Sequence, residues 1–273
     1  MSYAALMVYV DADGVPGDRV HLSASLADKF GAVLIGISAL AIRPPLVAEG
    51  DIVEEVVEAD LKEMSAKLAG KASWFRGLVD SHHQKREWRP VFDFPIDALA
   101  REARAADLVV IGRTAGPGDA YNSLDPGKAI LRMGRPTLVV PEGVCSLRAD
   151  HVIIGWKDTR EARRAVRDSL PFLHGAGRVT IVEICESGER KGALEHTSDV
   201  RLYLERHRVN VGPTILQEQK GSSASQLIQL AQDEDADLLV TGAYGHSRLG
   251  EWVFGGMTRD LLVTSPICCL MSH

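Results

Sequence analysis

The chain has 273 residues, with 31 lysines and arginines against 37 aspartates and glutamates, a net charge of −6 and a pI near 5.9. That balance excludes broad electrostatic binding of nucleic acid, which needs a basic surface; a local nest of backbone N–H groups can still hold phosphate in an acidic protein. Hydrophobic residues at 45% and charged residues at 25% are ordinary for a globular protein, and the length suits two domains of about 130–140 residues, each with its own core.

From the N-terminus, Ala4-Ala-Leu-Met-Val-Tyr-Val-Asp11 reads as a strand ending in an acid. No basic segment precedes it, so it is not read as a signal peptide. No apolar run approaches the ~18 residues that span a membrane. A cytoplasmic protein without membrane contact is expected. Val47 to Asp80 reads as one long amphipathic helix with a tail, and His82-His83 falls in a polar loop. Ala106-Asp-Leu-Val-Val-Ile-Gly112 and Arg135-Pro-Thr-Leu-Val-Val-Pro141 are strands, followed by a short linker near Glu142 to Asp150.

In the second half, strands are expected at 151–156, 178–185, 211–216, 236–241 and 266–271. Helices are expected at about 160–173, 189–208 and 222–234, with one more before the last strand. Ser222 and Ser223 are the candidate N-caps of the third of these helices. Trp88 and Trp156 read as packing residues.

The halves repeat. Ala106–Gly112 matches Ala236-Asp-Leu-Leu-Val-Thr-Gly242, and Arg135–Pro141 matches Ser265-Pro-Ile-Cys-Cys-Leu-Met271, both at an offset of 130. The first strands match at an offset of 146, which places about 16 extra residues before the fourth strand of the first half. Near-continuous apolar strands alternating with helices predict an α/β fold. It consists of two tandem, open, doubly wound five-stranded parallel sheets, over residues 1–144 and 149–273. In such sheets ligands bind beyond the carboxyl ends of the strands, here beside the loops after Val10, Trp156, Gly112 and Gly242. The cysteines, Cys145, Cys185, Cys268 and Cys269, lack metal spacing and read as reduced core thiols. Those of Cys268 and Cys269 should diverge onto opposite sheet faces.

The loop from Gly242 to Leu262 is the candidate site. Gly242, Gly245, Gly255 and Gly256 let the backbone approach a ligand, and the helix that follows, with Thr258, offers N–H and hydroxyl donors suited to phosphate. The same glycines also suit a tight connection with no ligand. His246-Ser247 has no orienting acid, and no Walker loop, catalytic residue or metal site is assigned.

Gly242, Gly245 and Gly255 fit the G-x2-G-x9-G spacing of ATP-binding universal stress proteins. The whole chain resembles the tandem bacterial type of that family, with its Rossmann-like fold and pseudo-twofold arrangement. The resemblance implies a non-enzymatic stress-response protein. It also implies an adenine nucleotide such as ATP in the C-terminal half, acting as a conformational or partner switch and held by Gly242, Gly245, Gly255, Gly256, Thr258 and Lys157. Two departures stand out. Gly256 replaces a Ser or Thr, and Lys157 replaces the acid that ends the first strand, with Asp158 one position later. The first half keeps Asp11 but has Ala115, Asp125 and Lys128 where the second has Gly245, Gly255 and Thr258. It reads as degenerate for ATP, with Arg113 and Lys128 left for another anion. The family's habit of pairing last strands implies that Pro136–Val140 meets Pro266–Leu270 within the chain, with a homodimer of chains left open. The rival readings are a nucleotide-independent interaction module and, disfavoured for lack of a base or metal-binding acid, a slow ATPase.

Overall fold

A computed structural model describes residues 2–42, 53–79, 85–113, 119, 121–245 and 256–273, with the backbone alone for 53–57. The first half runs β1 (Ala5–Tyr9), α1 (Gly17–Phe30), β2 (Val33–Leu40), α2 (Val53–Val79), β3 (Arg86–Phe92), α3 (Pro95–Glu102), β4 (Leu108–Gly112), α4 (Pro126–Met133) and β5 (Thr137–Val140). The second runs β6 (His151–Gly155), α5 (Arg160–Asp168), α6 (Leu170–Leu173), β7 (Arg178–Cys185), α7 (Arg190–Arg206), β8 (Val211–Glu218), α8 (Ser223–Asp233), β9 (Leu238–Gly242), α9 (Gly256–Thr264) and β10 (Cys268–Ser272).

The strands form one sheet in the order β3-β2-β1-β4-β5-β10-β9-β6-β7-β8. Read from either edge, the order of strands within a half is the same. Neighbours within each half are parallel, as crossover helices require. At the centre β5 meets β10 antiparallel, with Val139 opposite Cys269 and Leu138 opposite Leu270. The two five-stranded sheets are thus continuous, and the whole sheet is mixed. The repeat survives in register: Leu6 faces Leu108 as Val152 faces Leu238. Both free edges, β3 and β8, carry a proline, Pro90 and Pro213, which removes a donor and discourages edge-to-edge growth.

Apolar side chains alternate between two clusters, one on each face. Val8, Val110, Ile154 and Val240 lie on one, and Met7, Val109, Ile153 and Leu239 on the other. Cys268 and Cys269 fall on opposite faces by the same alternation. Tyr3 and Phe30 of the first half meet Phe172 of the second edge-to-face, with ring centroids 5.7 and 5.2 Å away.

Three local expectations are corrected. The helix expected over 160–173 breaks after Asp168, because Pro171 has no N–H and cannot continue the ladder. Ser222 occupies the N-cap position of α8, yet its hydroxyl donates to Asp260 Oδ2 at 3.0 Å and caps no backbone N–H. Cys145 is exposed, whereas the other three cysteines are free and buried. The long helix of the first half is described from Val53, inside the expected span; His82-His83 lies outside the described residues.

Candidate functional site

The two halves place different chemistry at the same point of the fold. Asp11 and Lys157 each lie five residues beyond a matched strand position, Leu6 and Val152. In the first half a cavity of about 540 Å³ opens at the carboxyl ends of β1, β4 and β5. Tyr9, Asp11, Arg19, Gly112, Arg113 and Glu142 are among the residues that line it.

Arg19 comes from the first turn of α1. Its side chain is 10% exposed and pairs with Asp11, which is 39% exposed. The guanidinium runs across Gly112, where any Cβ would overlap Nη1, so glycine here makes room for a cation. Two buried polar atoms in this wall, Arg19 Nε and Tyr9 Oη, have no hydrogen-bond partner among the described residues. Burial pushes the Tyr9 phenol well above its usual range, and the Asp11 charge adds to this; it therefore stays a neutral donor at physiological pH. Asp125, expected to oppose a phosphate, caps α4 by accepting from the Lys128 N–H at 3.1 Å.

In the second half the equivalent of the Arg19 side chain is the backbone of α5. A Cβ on Gly242 would lie 2.6 Å from Ala162 N and 2.8 Å from Glu161 C. On Gly245 it would lie 2.9 Å from Glu161 Oε2 and 3.1 Å from Thr159 Oγ1. The α5 backbone thus requires glycine at 242, whereas at 245 the close groups are the side chains of Glu161 and Thr159. Glu161 is 3% exposed and pairs with Arg160. Burial pushes its carboxyl up, but Arg160 and the Thr159 hydroxyl outweigh that and hold it below the ordinary value. A carboxylate therefore lies at the start of α5, where a helix favours negative charge.

Of the remaining residues of the expected site, Thr258 stays against the Gly242–Gly245 loop, while Lys157 turns to acids of its own half. Lys157 Nζ pairs with Glu189 at 3.1 Å and lies 4.0 Å from Glu183. Burial raises the Glu183 carboxyl, with His196 and Lys157 opposing. Trp156 packs as expected and donates from Nε1 to His196 Nδ1 at 3.1 Å. Thr258 is buried, and its Oγ1 accepts the Tyr244 N–H at 3.1 Å. Gly256 opens α9, and no atom of the described residues would lie within 4 Å of a Cβ there. Gly255, Ala115 and His246-Ser247 lie outside the described residues. Sequence reasoning missed Arg19, Glu161 and Tyr244. The one signal for Arg19 was a buried-face position on a helix that follows Asp11 by one loop.

No group of metal-ligating residues occurs among the described residues, and no helix among them is long and apolar enough to cross a membrane. Residues 178–273 match the universal stress protein family. The chain is similar in structure to a universal stress protein from Archaeoglobus fulgidus DSM 4304, with a TM-score of 0.73 and 15% identity over 98% of this chain and 95% of that one. It is also similar to a putative universal stress protein from Pseudomonas aeruginosa UCBPP-PA14, with a TM-score of 0.59 and 13% identity over 99% and 93%. At these identities the structural likeness is one of fold. No curated protein matches the sequence.

Proposed function

We propose, for a chain whose residues 178–273 match the universal stress protein family and whose whole length takes the fold of such proteins, that it is a non-enzymatic binding protein acting as a ligand-set switch. Its ligand is an adenine nucleotide or a polar anion of similar size. The first-half cavity carries this reading. At about 540 Å³ it falls within the ~300–1,000 Å³ of small-molecule sites, at the carboxyl ends of the strands where open α/β sheets bind ligands. The Arg19 guanidinium sets a positive charge in the cavity wall that suits an anionic group, and Asp11 and Glu142 offer acceptors for hydroxyl or amino groups.

A second reading keeps the adenine nucleotide in the second half, at Gly242, Gly245, Gly255, Gly256, Thr258 and Lys157. It is favoured by the start of α9 at Gly256, which no described residue crowds. The Glu161 carboxylate beside Gly245 and the pairing of Lys157 with Glu189 weigh against phosphate there.

Calorimetric titration of the full chain with ATP and with AMP separates the readings. Binding at one site per chain, weakened tenfold or more by Arg19→Ala, about 1.4 kcal/mol, supports the first-half cavity. Binding kept in Arg19→Ala but lost in Gly255→Val moves the ligand to the second half. No heat with either nucleotide would refute adenine nucleotide binding and leave the interaction module.

A further inference from the structure

Tyr244 belongs to the loop that closes β9 in the second half, but it ends in the first half. Its φ is +59°, a left-handed backbone that a bulky residue holds only when its surroundings over-determine it. Two contacts do so. Its N–H donates to Thr258 Oγ1 at 3.1 Å, which ties it to the first turn of α9. Its hydroxyl lies directly over Gly127 in the first turn of α4, close enough that a Cβ at Gly127 would overlap it. Asp125, the N-cap of α4, stands beside the same hydroxyl: burial first, then the Asp125 charge, pushes the phenol up to about 12.

The first half returns the grip. Arg113, at the position equivalent to Ala243, donates from Nη1 to Ser265 O at 2.8 Å, just past the end of α9. A cation suits that helix end. Each half's post-strand loop therefore holds the last helix of the other half, on either side of the β5–β10 junction.

We infer that Tyr244 is a shared positioning residue that couples the two halves: the first turn of α4 cannot rearrange without moving the Gly242–Gly245 loop, and the reverse. The glycine at 127 is explained on the same ground, since it makes room for the Tyr244 hydroxyl. A substitution at Gly127 is thus expected to reach the second-half loop, although the two lie in different halves of the chain. This coupling goes beyond the binding reading and does not depend on which half is occupied.

Amide hydrogen exchange on the unliganded full chain tests it. Gly127→Ala displaces the phenol, and exchange across residues 242–245 is expected to accelerate at least ~5-fold, with Tyr244 N–H losing its bond to Thr258. In a Tyr244→Ala background the same Gly127 change is expected to add nothing in that loop. Tyr244→Phe removes only the hydroxyl and tests the reverse direction: exchange over residues 125–129 is expected to accelerate, and this variant carries the test if Gly127→Ala fails to fold. Unchanged exchange at 242–245 in folded Gly127→Ala overturns the inference. So does an equal acceleration with Tyr244 absent, or an unchanged α4 start in Tyr244→Phe. None of these readouts uses a ligand, so a failed nucleotide titration leaves the coupling standing.

Discussion

Gly112 and Gly242 close equivalent strands, yet alanine at the two positions should cost different amounts. At Gly242 the new Cβ meets backbone, 2.6 Å from Ala162 N and 2.8 Å from Glu161 C. Those atoms belong to the first turn of α5 and cannot step aside without lifting that helix off the sheet. Overpacking costs typically ~1–3 kcal/mol, and with backbone on the receiving side the upper part of that range, about 2–3, applies. At Gly112 the Cβ meets the far end of the Arg19 side chain, which can swing toward the cavity. That loses the pair with Asp11, which is 39% exposed and so contributes roughly 0.2–1 kcal/mol, together with packing of the Arg19 stem. About 1 kcal/mol in all follows. Urea denaturation followed by circular dichroism, with the m-value unchanged, is expected to place Gly242→Ala below Gly112→Ala by about 1–2 kcal/mol. Ligand affinity should fall in Gly112→Ala as is expected for Arg19→Ala. Equal destabilisation, or a larger loss at Gly112, refutes the argument that the first half packs a movable cation where the second packs a helix.

Glu183 has its carboxyl raised by burial, so the folded state holds that proton more tightly than the unfolded chain, and its contribution is lost as pH rises above the ordinary carboxylate range. Glu183→Gln is therefore expected to gain melting temperature relative to the native chain as pH goes from about 4.5 to 7.5; a pH-independent difference counts against it. Burial pushes the Cys269 thiol up to about 11 and Cys268 higher still, while Cys145 is exposed. Alkylation of the folded protein should thus modify one thiol, with all four reacting after denaturation; two or more labelled in the native state contradicts the burial. Phe172 is fully buried between Tyr3 and Phe30 across the junction of the halves. Phe172→Ala should cost about 3–5 kcal/mol by chemical denaturation, and a loss under about 1 would show that this aromatic contact does not bind the halves.

Much of the scaffold was legible because its signals are local. Leu238-Leu-Val240 is apolar throughout, since helices cover both faces of a parallel sheet, and the strand at Arg178–Cys185 lies where its pattern placed it. The 130-residue offset of Gly112 and Gly242 carries over into the strand register. The split at Ser169 was legible in principle, because Pro171 is itself a local signal.

What meets the glycines was not legible in the sequence, for a physical reason. Glycine spacing marks where a backbone must be approached closely, but it does not say by what. At Gly242 and Gly245 the approaching groups are the α5 backbone and Glu161; at Gly112 the approaching group is Arg19; at Gly127 it is Tyr244 from the other half. The sequence by itself determined the repeat and the α/β alternation. Tertiary structure alone decided which half presents a cation and which a carboxylate beside those glycines. Those charges come from helices and loops distant along the chain, and packing across the sheet and its central junction brings them to the glycines.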